Sequence, residues 1–121
     1  MSAFDELSSI RPRVVWDGMI ARPVHGERLT LAVVELDADM ELPEHHHANE
    51  QLGLVLQGSV ELRVGDETRM LGPGETWRFA PHAPHSGRAG PDGAVVVDAF
   101  SPPREDWREL AELDLQPPIW P

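Results

Sequence analysis

The sequence predicts an all-β domain, a sandwich or a closed barrel. Three observations lead there. Short apolar segments recur at intervals of about ten residues. Turn signals separate them: Gly26, Gly58, Gly65-Asp66, Gly72-Pro73-Gly74, Pro81 to Pro84, and Gly90 to Gly93. No helix-length apolar period lies between them. The chain has 121 residues, 40% of them apolar, which supports one hydrophobic core and not two.

Taken in order, residues 1–18 are expected as an N-terminal arm, 19–100 as the barrel core and 101–121 as a C-terminal arm. Within the core, strands are predicted near 19–24, 29–36, 51–57, 60–64, 68–71, 76–80, 85–88 and 94–100. In the fourth of these, Val60, Leu62 and Val64 alternate with Ser59, Glu61 and Arg63, so one face is buried and the other wet. The runs at 52–56 and 94–97 are apolar on both faces, which calls for a second layer over the sheet. A partner subunit could supply it, and a homodimer is the expected assembly. One helical signal comes late, at 105–113. It follows Pro102-Pro103, opens on acidic residues and spaces Trp107, Leu110 and Leu113 at three. Pro117, Pro118 and Pro121 bar a helix from the end of the chain.

Composition narrows the chemistry. Net charge is −11, against a nucleic-acid partner, which wants a basic face. All ten basic residues are Arg. Without Lys there is no Schiff-base chemistry, and without Cys no thiolate, disulfide or Cys zinc site. Tyr is also missing, so proton transfer falls to His, Asp or Glu. No apolar run approaches the roughly 20 residues that span a bilayer, so no membrane partner is expected. The first ten residues carry Asp5 and Glu6 and lack the pattern of a secretion signal, and the expected location is cytoplasmic.

The histidines are placed unevenly. His45, His46 and His47 precede the strand near 51–57, and His85 opens another. On extended chain His45 and His47 project to one side and His46 to the other. Gln51, four residues past His47, shares their parity. An i, i+2 His pair sets two imidazoles side by side, as a metal requires. A solvated His cluster in a loop is the competing reading, and by pattern alone the two stand level.

These residues also match a known family. His45-x-His47, then Gln51 and Gly58, resembles the first cupin motif, and Gly74, Pro81 and His85 resemble the second. The resemblance implies a small double-stranded β-helix, a jelly-roll barrel. It also implies a divalent transition metal (Ni, Zn, Mn, Fe or Co) held by His45, His47, Gln51 and His85. The sequence departs from the common pattern at three places: Gln51 where Glu is frequent, Ala80 where Pro is usual, and His82 where Gly is usual. If that last position needs a positive φ, His82 is strained and belongs to a turn at the pocket rim. A neutral amide in place of a carboxylate leaves the ion its full charge, which favours an anionic ligand.

A second constellation lies on the last strand. Asp98 and Phe100 share one face of an otherwise apolar run. A buried Asp there needs a partner or a function. An ion pair with Arg22, Arg78 or Arg104 and a catalytic role are the alternatives. The run Asp98-x-Phe100-Ser101-Pro102-x-Arg104-Glu105-Asp106 resembles the small cupins of pectin and alginate breakdown. Those convert cyclic 4,5-unsaturated monouronates to linear keto forms. The resemblance implies Asp98 as proton donor or relay, Arg104 as carboxylate anchor and Phe100 as the wall under an anionic sugar-type substrate. A dioxygenase or lyase acting on a small carboxylate, and a non-enzymatic binding module, are the competing classes.

Overall fold

The computed structural model describes residues 2–121. Eight strands form one antiparallel system: β1 Arg13–Trp16, β2 Met19–His25, β3 Thr30–Leu36, β4 Glu41–His45, β5 Glu50–Val64, β6 Glu67–Leu71, β7 Thr76–Phe79 and β8 His85–Ser101. Their order is β1-β2-β3-β8-β5-β6, with β4 on β8 and β7 on β5. The chain is thus all-β, as its periodicity predicts.

β5 and β8 are long because each passes through both layers. The first part of β5 pairs with the last part of β8 beside β3 and β7; its second part pairs with the start of β8 beside β4 and β6. Each therefore covers two of the separately expected segments. They meet at Gly58 and Gly93, which both have positive φ. Irregular register brackets the crossing, with shifts between Val55 and Gln57 and between Gly58 and Val60. A Cβ on Gly58 would lie 2.1 Å from the Gly93 carbonyl oxygen. Both strands bend there because neither carries a side chain at the crossing.

The core is built from register. Ala21, Val34, Val96 and Val55 stand side by side across four strands, and all are buried. Residues of the same parity two and four steps on, among them Asp98, Phe100 and Gln51, face the same interior.

Both ends depart from expectation. The segment read as an N-terminal arm contains β1, paired with β2. The late helix is a 3-10 turn, Glu105–Glu109, which buries only Trp107. A spacing of three is the 3-10 period rather than the α period. The chain then leaves the helical path because its backbone finds β partners. Val14 N–H donates to Ala111 O, Leu113 N–H donates to Pro12 O, and Arg13 bridges Glu112.

Residues 116–121 form a strap on the outer face. Arg22 Nη2 donates to Gln116 O at 3.1 Å, and Ile119 N–H donates to Glu35 at 2.9 Å. The strap docks by these polar contacts; Ile119 stays 58% exposed and Trp120 37%. Val95 is buried on the strap's side of the sheet, so part of the second layer comes from the chain itself. Over Val24, Leu31 and Leu52 the outer face is open. Among the described residues no helix is long and apolar enough to cross a membrane.

Candidate metal centre

β4 and β8 pair so that His45 stands directly opposite His85. That register brings the two rings to 4.2 Å between centroids, and His47 joins them at 5.1 Å from His85. One nitrogen from each of the three lies within 4.8 Å of the others. His46, of opposite parity, is not in the group.

The Nδ1 side of each ring faces a backbone carbonyl: Pro43 O for His45 at 2.8 Å, Asn49 O for His47 at 3.0 Å, and Ala83 O for His85 at 2.9 Å. With Nδ1–H as donor in all three, each Nε2 presents its lone pair. A carbonyl behind a ligating imidazole fixes tautomer and ring plane in this way. Phe79 stacks on His85 at 4.3 Å, and Trp16 of β1 packs against His45 at 5.5 Å. Burial pushes His85 down to about 4 and lowers His45 and His47 too. All three rings are therefore neutral at pH 7, the state a metal needs.

Gln51 supplies the fourth group. It pairs with Phe100 across β5 and β8, which sets it diagonally beside Asp98. Its Nε2 donates to Asp98 Oδ1 at 3.0 Å, so its Oε1 points the other way, to within 3.1 Å of His47 Nε2. That contact tests the site. His47 Nδ1 faces a carbonyl oxygen and its Nε2 faces an amide oxygen, and a neutral imidazole has one N–H. With the amide in this orientation, either tautomer leaves two acceptors in contact. A second proton would resolve this, but burial opposes it. A cation among His45, His47, His85 and Gln51 resolves it for both, so the residues fit a divalent ion.

Asp98 is buried, and burial raises its carboxyl to about 7, against the opposing pull of Gln51 and Arg104. It forms no salt bridge among the described residues. Arg22 is taken by Glu35 at 2.6 Å and Arg104 by Asp106 at 2.9 Å. Asp98, Arg104 and Phe100 line one cavity with His45, Gln51 and His85, of about 180 Å³. Apart from Asp106, its remaining wall is apolar, with Trp16, Leu62 and Trp77 among its members.

The sequence reading missed three residues. Asn49 accepts from His47 Nδ1 and donates to Pro102 O, joining the histidine run to the C-terminal segment. Its parity with His45, His47 and Gln51 was the available signal. Trp16 falls in the segment expected as an N-terminal arm, and Asp106 among the acidic residues that open the expected helix. His82 has φ +66°, is exposed, and donates its N–H to His47 O at 2.7 Å. It is a turn residue outside the group of nitrogens. His25 pairs with Thr30 on the β2–β3 hairpin.

A model of the cupin domain matches residues 32–100. The chain is a cupin. The pectin degradation protein KdgF of Dickeya dadantii (strain 3937) is 31% identical to this cupin over 65 residues, 54% of this chain and 59% of that protein. The match thus spans less than two thirds of that relative's length. The structure of KdgF from Halomonas sp. superposes with a TM-score of 0.79 at 28% identity, covering 88% of this chain and 98% of that one. An RmlC-like cupin from Shewanella frigidimarina NCIMB 400 superposes at 0.80 with 23% identity, covering 88% and 96%. That second likeness carries the fold alone.

Proposed function

We propose that this cupin opens cyclic 4,5-unsaturated monouronates to their linear keto forms, in the breakdown of pectin-type polysaccharides. The observation that carries the reading is the convergence of three histidine nitrogens and the Gln51 amide oxygen beside a buried Asp98, which lines one cavity with Arg104. The similarity to KdgF supports the substrate class.

His45, His47, Gln51 and His85 are the proposed metal ligands, and Ni, Zn, Mn, Fe and Co all suit three imidazoles and an amide oxygen. A divalent ion bound there supplies Lewis-acid polarisation of substrate oxygens. The rest falls to the chain. In the reaction the anomeric hydroxyl gives up a proton as the ring C–O bond breaks and an aldehyde forms. The enolate released at C5 becomes a ketone when its C4 gains a proton. One proton leaves, one arrives, and the formula is unchanged. Asp98 is the group proposed to take the first and return the second. Its raised pKa lets both protonation states be reached near neutral pH.

Arg104 is the proposed carboxylate anchor. Asp106 occupies its Nε and Nη2, while Nη1 makes no hydrogen bond among the described residues and is not sealed from solvent. The end-on edge of the guanidinium is therefore open to a substrate carboxylate. Phe100 lies under the Arg104 guanidinium, 4.7 Å from its carbon, and forms the wall. The test is elemental analysis, followed by incubation of unsaturated monouronate with metal-stripped and metal-loaded protein. Loss of the alkene's ultraviolet absorbance only with metal is expected. Unchanged absorbance with the loaded protein overturns the reading.

The apolar wall favours one competitor, oxidation or lysis of a small, less hydroxylated carboxylate. Oxygen uptake by Fe(II)-loaded protein would select the oxidative form of that reading. The neutral Gln51 argues against it, because no carboxylate is there to stabilise Fe(III).

A further inference from the structure

We propose that Asp106 is a positioning residue, one that holds the Arg104 guanidinium with its end-on edge toward the cavity. The inference rests on the reading above, in which Arg104 receives the substrate carboxylate.

Arg104 sits in an unusual clamp. Its guanidinium carbon is 4.7 Å from the Phe100 ring centroid and 4.7 Å from that of Trp107. Those two rings meet edge to face at 5.0 Å, so the guanidinium packs into the corner they form. Aromatic faces fix the height of a guanidinium and leave its in-plane rotation free. Asp106 removes that freedom. Nε donates to Oδ1 at 3.0 Å and Nη2 to Oδ2 at 2.9 Å, a bidentate fork. The backbone N–H of Arg104 is fixed as well, donating to Thr30 Oγ1 at 2.9 Å.

Electrostatics gives the clamp a purpose. Arg104 lines one cavity with the rings of His45 and His85, so its charge faces the group of imidazoles. A cation bound among those rings repels Arg104 in turn, and an untethered arginine side chain would swing toward water. Asp106 opposes that by charge and by geometry. The exposures of the partners agree with this division of labour. The Arg104 side chain is 11% exposed and that of Asp106 66%. Asp106 contributes little to the core, and its effect runs through the residue it holds.

A double-mutant cycle on metal-loaded protein tests this. Asp106→Ala is expected to raise KM for unsaturated monouronate about tenfold and to change kcat less than about threefold, with little change in melting temperature. Arg104→Ala is expected to raise KM at least as much. The double variant is expected to match Arg104→Ala alone, because Asp106 has nothing left to position. An unchanged or lowered KM in Asp106→Ala overturns the proposal, as does additivity in the double variant. A readout independent of turnover separates this from failure of the functional reading. The Arg104 Nε–H resonance should be protected from exchange in the wild type and lost in Asp106→Ala. Binding of saturated galacturonate, measured by calorimetry, should weaken about tenfold in the same variant. Protected Nε–H and weakened galacturonate binding without uronate turnover would sink the reaction and keep the positioning role. A Nε–H equally exposed in both proteins sinks the positioning role itself.

Discussion

Gln51 does two jobs that a carboxylate could not combine. Its Oε1 joins the histidine nitrogens and its Nε2 donates to Asp98 Oδ1. A glutamate would keep the first contact and turn the second into a clash of two acceptors. Like charges disfavour joint ionisation, so the Asp98 pKa would rise further. Gln51→Glu is therefore expected to retain metal, to lose activity more than tenfold, and to shift the acid limb of its pH–rate profile upward. Measuring metal content beside the profile checks this; full activity at an unshifted pH would show that the amide bond to Asp98 is irrelevant. His82 shows a different residue-scale effect. Its φ of +66° is in the left-handed region, where a Cβ is crowded. His82→Gly relieves that strain and adds some freedom to the unfolded chain. The net expectation is a gain of about 0.5–1 kcal/mol in urea unfolding, with metal content unchanged.

At the scale of elements, what the sequence made legible was what period and parity encode. Alternation in Val60, Leu62 and Val64 placed that face inward, and Val60 and Leu62 are buried. Parity grouped His45 and His47 with Gln51 and set His46 aside, and the fold brings those three together with His85. What stayed hidden depends on long-range pairing. β1 lacks any strong pattern and exists because β2 and the segment near Ala111 supply partners. β4, Glu41–His45, carries Pro43 and two glutamates, and reads as loop until β8 is beside it. The strap is the clearest case, since nothing in its composition says that it seals an ion pair. Arg22 is fully buried, and its partner Glu35 also accepts from Ile119 N–H. Removing one member of a buried pair leaves an uncompensated charge. Glu35→Ala is expected to cost about 3–5 kcal/mol in urea unfolding. Glu35→Gln, which keeps an acceptor for Ile119, is expected to cost less. Equal stability of Glu35→Ala and wild type would mean that the strap does not depend on this pair.

At the scale of the whole molecule, the site couples stability to pH in two opposing directions. The histidines have folded pKa values below the unfolded 6.5, with His85 at about 4. Their contribution is present above pH 6.5, where folded and unfolded rings are both neutral. It is lost as pH falls toward 4, because the unfolded chain binds the protons first. Asp98 runs the other way. Its folded pKa, about 7, lies above the unfolded 3.8, so its contribution is present below 3.8 and is lost as pH rises to 7. Between pH 4 and 6.5 the two slopes oppose each other, and three histidines outnumber one aspartate. Metal-free wild-type protein is therefore expected to gain stability with rising pH across that window, and to do so less steeply than Asp98→Asn. The variant's advantage over wild type should grow from pH 4 to pH 7.5, by up to about 4 kcal/mol for the roughly three pKa units involved. Metal acts on the same rings, since each must be deprotonated to bind. Added divalent ion should raise the melting temperature of wild type at pH 7 and leave it unchanged at pH 4. Melting curves at four pH values, with and without metal, for wild type and Asp98→Asn, read all of these slopes together. If the variant's curve merely parallels the wild type's, Asp98 does not titrate in this window, and a proton relay through it near neutral pH fails with that result.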